Sequence, residues 1–311
     1  MKIAIIGSGG VGGFFGAKLA KAGNDVTFLA RGAHLEALNK NGLTVKSVDG
    51  DFKVDNIKAT DEISNIQKVD LIILGVKAWH VKEIAKELHN VIKDNTVVLP
   101  LQNGVLAVEE LQEHINEKHI IGGLCRIISK IESPGVINHL GITPTIVFGE
   151  QNHSISERVL EIKALFDQSG INNNISESID VELWKKFLFI CSGGLLAITK
   201  STYGELREVK ETRQMFLEMF TEIYRLAEKA GIALPPDIPQ KSLDFIDSLP
   251  YDSVASMARD IWAKKPSEIE YQNGAVVKLA EQYGIDVPIN RFIYESILPM
   301  ENIAREGNFE L

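Results

Sequence analysis

The chain has 311 residues, 45% apolar and 24% charged, which is the make-up of a folded globular protein long enough for two domains. Its net charge is −9, from 33 Lys and Arg against 42 Asp and Glu, and no basic block offsets that excess, so nucleic acid and anionic membrane surfaces are excluded as partners. No targeting segment is visible and the most apolar internal stretch, Phe187 to Ile198, is too short for a bilayer, so a cytoplasmic protein is expected.

The chain opens with Lys2 to Ile6, an apolar run rich in β-branched residues that predicts a strand. Gly7-Ser8-Gly9-Gly10-Val11-Gly12 follows, then a helical pattern closed by Gly23, then a second strand from Asp25 to Arg31. Strand, G-x-G-x-x-G, helix, strand is the dinucleotide-binding context. Gly7 permits the tight turn, Gly9 lets backbone approach a pyrophosphate, and Gly12 lets helix and strand pack closely. First-turn N–H groups then face the phosphates. Gly7, Ser8, Gly9, Gly10, Val11 and Gly12 are the predicted cofactor cradle.

Gly32 to Asn41 reads as a short helix, and residues 42 to 54 as a hairpin-like excursion around Asp49-Gly50. Val69 to Lys77 is almost wholly apolar, as in a strand buried on both faces of a parallel sheet. A helix from Ala78 to Ile92 carries Val81, Ile84, Ala85 and Leu88 at helical spacing. Thr96 to Leu101 is another buried strand, ending at Gln102-Asn103-Gly104, followed by a helix from Val105 to Ile115 and a strand from Ile120 to Leu124. This alternation predicts a doubly wound α/β domain. Gly135 to His139 and Thr145 to Phe148 lack an intervening helix and are expected to extend the sheet antiparallel.

From about Asp180 helical periodicity takes over: Val181–Ala197, Met215–Ala230, Gln240–Phe245, Ser253–Ala263, Ser267–Tyr283 and Arg291–Arg305. A boundary near Glu177-Ser178 divides a cofactor domain, 1–178, from an all-α domain, 179–311, and a cleft between them is the expected place for a small-molecule site. Cys125 and Cys191 lie in apolar surroundings and read as buried thiols of a reducing compartment. The seven histidines show no metal-ligand spacing, so no metal is predicted.

Ligands of doubly wound sheets sit outside the carboxyl ends of the strands. The polar residues there are Arg31, Lys77 and Asn103. Each could be an ordinary loop residue; three meeting at one crevice favour binding. Arg31 stands where an NAD-binding chain would carry an acid for the ribose hydroxyl, and its guanidinium suits a 2′-phosphate, which predicts NADP. In the second domain Lys185 and Lys186 flank an apolar helix, and periodicity does not choose between them. Ser267 with Glu270 fits a capping box, and Glu268 is then a first-turn acid, explained without chemistry.

Gly7 to Gly12, Gly75-Val76-Lys77-Ala78, Gln102-Asn103-Gly104, Leu183-Trp184-Lys185-Lys186 and the stretch from Ser256-Met257 to Glu268-Ile269-Glu270, in this order, resemble the 2-dehydropantoate 2-reductase (ketopantoate reductase) family. The resemblance implies a Rossmann-type domain, an all-α domain of the 6-phosphogluconate-dehydrogenase C-terminal type, and NADPH-dependent reduction of a small 2-keto acid. Ketopantoate, reduced to pantoate in pantothenate biosynthesis, is the expected substrate, and a homodimer is compatible with the family. It implies roles as well. Lys186 matches the catalytic proton donor and Glu268 the acid assisting beside it. Asn103 and Ser256 match substrate-contacting positions, as do Lys186 and Glu268. Asn103 also lies near the nicotinamide, Lys77 matches a cofactor-proximal lysine, and Arg31 matches the NADP-discriminating arginine. One departure stands out. The family's asparagines four and eight residues after the lysine are Ile190 and Gly194 here, expected one and two turns along the lysine's face. A reductase of another 2-keto acid and a non-catalytic NADP sensor are the rivals. Retention of Lys186 and Glu268 argues against the sensor.

Overall fold

The structure is a computed structural model, and it describes residues 1–306. The chain divides into two compact units. Met1–Gln102 with Ala107–Glu182 form the first, and Asn103–Leu106 with the chain from Leu183 onward form the second.

The first unit begins with β1 (Lys2–Ile6), α1 (Gly10–Lys21), β2 (Asp25–Leu29), α2 (Gly32–Asn41), β3 (Leu43–Ser47), β4 (Phe52–Val54) and β5 (Lys58–Thr60). It continues with β6 (Leu71–Leu74), α3 (Val81–Glu87), β7 (Val97–Pro100) and α4 (Ala107–Gln112). A wholly parallel sheet runs β5-β2-β1-β6-β7. Strand alternation sorts its side chains onto two faces. Ile3, Ile5, Phe28, Ile73 and Leu99 join one cluster with Phe15 and Leu19 of α1. Ala4, Ile6, Leu29, Ile72, Leu74 and Val98 join the other with Val81, Ile84, Leu88 and Leu111. Burial on both faces is why these strands are apolar at consecutive positions. This is a Rossmann-like sheet with β1 at its centre, flanked by β2 on one side and β6 on the other.

The unit closes with β8 (Gly122–Ser133), β9 (Val136–Gly149), α5 (Glu157–Gln168) and β10 (Asn172–Ile175). Here the structure corrects the sequence reading. The segments expected at Gly135–His139 and Thr145–Phe148 are one strand, β9, and they do not extend the first sheet. They build a second sheet, β10-β9-β3-β4, with β8 on β9. The β8–β9 pairing is antiparallel, whereas β9 pairs with β3 and with β10 in parallel. An isolated parallel bridge between Val98 and Ile120 joins β7 to the run toward β8. Ile137, Ile146 and Phe148 place this sheet's inner face in the cluster containing Phe14 and Phe15, so α1 is covered on two sides. Glycines at both sides of α1 allow that: a Cβ on Gly16 would stand 2.5 Å from the Phe28 ring and one on Gly13 2.8 Å from Ile137. Helix α5 lies where no element was expected, although Ser156 caps it and Val159, Ile162, Leu165 and Phe166 have helical spacing.

Helix α6 (Ile179–Ile190) carries the division between the units. The second unit continues with α7 (Gly193–Thr199), α8 (Tyr203–Glu208), α9 (Lys210–Lys229), α10 (Ile238–Ser248), α11 (Ser256–Trp262), α12 (Asn273–Tyr283) and α13 (Pro288–Glu306). No strand occurs among its described residues, and no described helix is long and apolar enough to cross a membrane. Two helices expected to be continuous are broken. Val181–Ala197 is interrupted at Cys191-Ser192, where Gly194 and Leu195 bond back three residues to Cys191 and Ser192. Ser267–Tyr283 is a single 3₁₀ turn, Ile269–Tyr271, then α12 after Gln272 at φ −114° and ψ −105°. Buried carboxylates tie the unit together. Glu222 of α9 accepts the Ile289 and Asn290 amides at the start of α13, at 2.9 and 3.0 Å, as a carboxylate does best at a helix N-terminus.

Candidate active site

In the first unit the glycine loop has the geometry of an anion cradle. Gly7 sits at φ +97°, in the left-handed region, and a Cβ there would meet Val76 at 2.6 Å. A Cβ on Gly12 would lie 2.0 Å from the Gly7 carbonyl, so helix and strand meet only through glycine. Gly9 differs, because its absent Cβ would meet nothing within 4 Å. Gly9 caps α1 without a side chain to accept the first amides of the helix. Open space in front of orphan helical N–H groups is what a pyrophosphate requires, so these residues fit a bound dinucleotide. The other loop residues divide their work. Ser8 is buried and gives its amide to the Leu29 carbonyl at 3.1 Å. Gly10 lies where a Cβ would stand 2.4 Å from the Ser129 carbonyl, and Val11 packs into the core.

Arg31 follows β2 and is the N-cap of α2, exposed, with no acid in the first turn of that helix. A guanidinium beside an uncapped helix start makes a second place suited to an anion. Lys77, at the end of β6, is exposed, with its Nζ 5.6 Å from the centre of the Trp79 ring. Gln102 is buried and donates to the Leu74 and Val76 carbonyls at 3.0 and 3.1 Å, tying the end of β6 to the end of β7.

The next residue, Asn103, groups with the second unit. Its Nδ2 donates to Glu268 Oε2 at 3.0 Å, across 165 residues of sequence. Gly104, at φ +97°, allows the approach, since a Cβ would stand 2.7 Å from the Tyr271 carbonyl. Glu268 is buried and Asn103 half-buried. The expected capping box is absent. Ser267 Oγ accepts from the Ile269 amide at 3.3 Å, and Glu270 takes the Tyr294 hydroxyl at 2.8 Å instead of returning to Ser267. Glu268 is therefore not explained as a helix-cap acid.

On α6, Trp184, Phe187 and Leu188 are buried and define the core face, and Cys191, just past its end, is buried as well. Lys186 lies nearly opposite Trp184 and shares the half-buried face with Glu182, Leu183 and Ile190. Lys185 is half-buried as well. Ser256 is the first residue of α11 and exposed. Burial pushes the Cys191 thiol well up, which leaves it without reactivity. No group of His, Cys, Asp and Glu that could hold a metal occurs among the described residues.

Residues 3–153 match the family model described as ketopantoate reductase PanE/ApbA, and residues 178–301 match the one for its C-terminal part. The 2-dehydropantoate 2-reductase of Nostoc sp. is 32% identical over 98% of this chain and 97% of its own length. The chain belongs to the ketopantoate reductase family. The 2-dehydropantoate 2-reductase of Pyrococcus horikoshii is 30% identical over 98% of the chain and 99% of its own length. The PanE/ApbA-family ketopantoate reductase structure from Ralstonia eutropha superimposes with a TM-score of 0.89 at 27% identity, covering 98% of this chain and all of that one. The chain is an oxidoreductase of this family.

The two positions that depart from the family pattern, 190 and 194, have different surroundings. Ile190 does share the half-buried face of Lys186. Between Lys186 and Gly194 the helix is interrupted, since α6 ends at Ile190 and α7 begins at Gly193. Gly194 is buried, and a Cβ on it would stand 2.4 Å from Ile293 and 2.5 Å from Asn273 Oδ1. It is small because α12 and α13 press on it. Gly194→Asn, which installs the ketopantoate reductase asparagine, is expected to cost about 1–3 kcal/mol as overpacking. Urea unfolding measures this, and an unchanged midpoint would mean that the two helices yield.

Proposed function

We propose that the chain reduces 2-dehydropantoate to pantoate with NADPH, in the cytoplasm, as a step of pantothenate biosynthesis. The observation that carries this reading is the Asn103–Glu268 hydrogen bond, which joins an amide and a buried carboxylate that no local structure requires to meet. The nicotinamide, when bound, supplies the hydride. The glycine loop and the first turn of α1 hold the pyrophosphate, and Arg31 with the start of α2 holds the 2′-phosphate. Lys77 adds positive charge at the end of β6. Lys186 Nζ donates a hydrogen bond to the keto oxygen and gives up its proton as negative charge develops there. Glu268 accepts from the substrate hydroxyl, Asn103 fixes the carboxylate in place, and the Ser256 hydroxyl orients the substrate.

Ile190 has a measurable consequence. An apolar wall discriminates by about 10–200-fold per methylene, whereas a site built to bond a hydroxyl rejects its absence by roughly 10⁴-fold. The preference for ketopantoate over 2-oxoisovalerate in kcat/KM is therefore expected to stay within about 100-fold. Steady-state rates with NADPH and a panel of 2-keto acids test both statements. Failure to turn over ketopantoate overturns the substrate. A preference near 10⁴-fold overturns the role given to Ile190.

A further inference from the structure

We propose that Glu301, near the end of α13, is a positioning residue for Glu268, acting through Ser267. The inference rests on the catalytic reading of Glu268. Ser267 is fully buried, and α13 engages all of its polar groups. Its amide donates to both Glu301 oxygens at 3.1 and 3.0 Å, and its hydroxyl donates to Glu301 Oε2 at 2.6 Å. Its carbonyl accepts from Arg305 Nη2 at 3.0 Å, and Arg305 Nε in turn pairs with Glu301 at 2.7 Å. Beyond Glu268, the Tyr294 hydroxyl donates to both Glu270 oxygens at 2.8 Å. Burial, then Glu270, push that phenol's pKa upward, so it remains a donor.

Positions 294, 301 and 305 fall within about 40° of one another at 3.6 residues per turn. One face of α13 thus holds the loop on both sides of Glu268. The peptide plane joining Ser267 to Glu268 is fixed at its carbonyl, and the plane before it is fixed at its N–H. Little freedom remains at the Glu268 Cα except its own side-chain torsions, and Asn103 constrains those.

The chemistry of Glu301 argues that this is more than packing. It is 2% exposed, and burying a carboxylate this deeply is unfavourable until its partners compensate. An apolar pair at 267 and 301 would fill the space without that cost. It would also leave the Ser267 amide without an acceptor and the loop without directional contacts. Directional bonds hold a catalytic group within a fraction of an ångström, and a misplacement of about 1 Å can cost about 100-fold in rate.

The test is a double-mutant cycle on kcat with NADPH and ketopantoate, with the thermal midpoint and NADPH affinity measured for each variant. Glu301→Gln is expected to lower kcat about 10-fold, with NADPH affinity unchanged. In a Glu268→Ala background the same change should have no further effect on kcat, because nothing is left to position. Equal fold losses in both backgrounds, or no loss in the native one, would overturn the role of Glu301 while the reading of Glu268 stands. Full activity of Glu268→Ala itself would overturn that reading, and this inference with it. If Glu301→Gln does not fold, Ser267→Ala runs the same cycle. It removes only the hydroxyl, and it is expected to lower kcat about threefold in the native background alone.

Discussion

Lys186→Ala is expected to lower kcat by about 10³-fold, while NADPH binds nearly as before. In the proposed reaction the lysine is the proton donor to the keto oxygen, and such donors contribute about 10²–10⁴-fold. The anion cradle belongs to the other unit, around Gly9 and Arg31, so the loss should fall on turnover and spare cofactor affinity. Lys185→Ala is the control. It stands about 100° around the helix from Lys186 and should change kcat little. Single-turnover rates with saturating NADPH separate chemistry from release, and fluorescence titration reports cofactor affinity. The reverse result, with Lys185 essential and Lys186 dispensable, would show that the face shared with Glu182, Leu183 and Ile190 is not the reactive one.

Arg31→Ala is expected to weaken NADPH by about 100-fold, the scale of a lost charge-assisted hydrogen bond, and to change NADH affinity little. Arg31 is exposed and screened by solvent, so in the proposed role its contribution appears against the doubly charged 2′-phosphate. The start of α2 stays in place and retains part of the attraction, which is why the loss should stop short of abolishing binding. Increasing salt should reduce the NADPH preference of the native protein and leave that of the variant nearly flat. Equal weakening of both cofactors would mean that Arg31 supports the loop and does not read the phosphate.

Some of the site was legible along the chain because its rules are local. The glycine loop could be read residue by residue. Gly7, Gly9 and Gly12 answer to a turn, an open approach and a close contact, each set within a dozen residues. The strand ends bearing Arg31, Lys77 and Asn103 followed from apolar runs. Other features misled. Ser267 with Glu270 has the spacing of a capping box, yet both residues are claimed by α13, at Glu301 and Tyr294, and spacing carries no information about a helix more than 20 residues away. Nothing near Glu301 in the sequence marks it as buried, and only in the structure does it pair with Arg305 and reach Ser267. Gly194 has the family's spacing from Lys186, but the helix between them is broken.

The sequence by itself determined the parallel sheet, the glycine loop after β1 and the helical character of the second half. These follow from periods of two and 3.6 residues and from runs apolar on both faces, which short windows contain in full. Only the tertiary structure decided that β8, β9 and β10 join β3 and β4 in a second sheet, since strand patterning states which face is buried and not which strand lies alongside. It likewise decided that Asn103 meets Glu268 and that α13 grips Ser267. Those bonds span 165 and 34 residues, and a hydrogen-bonding side chain specifies the chemistry of its partner without specifying the partner's position in the chain.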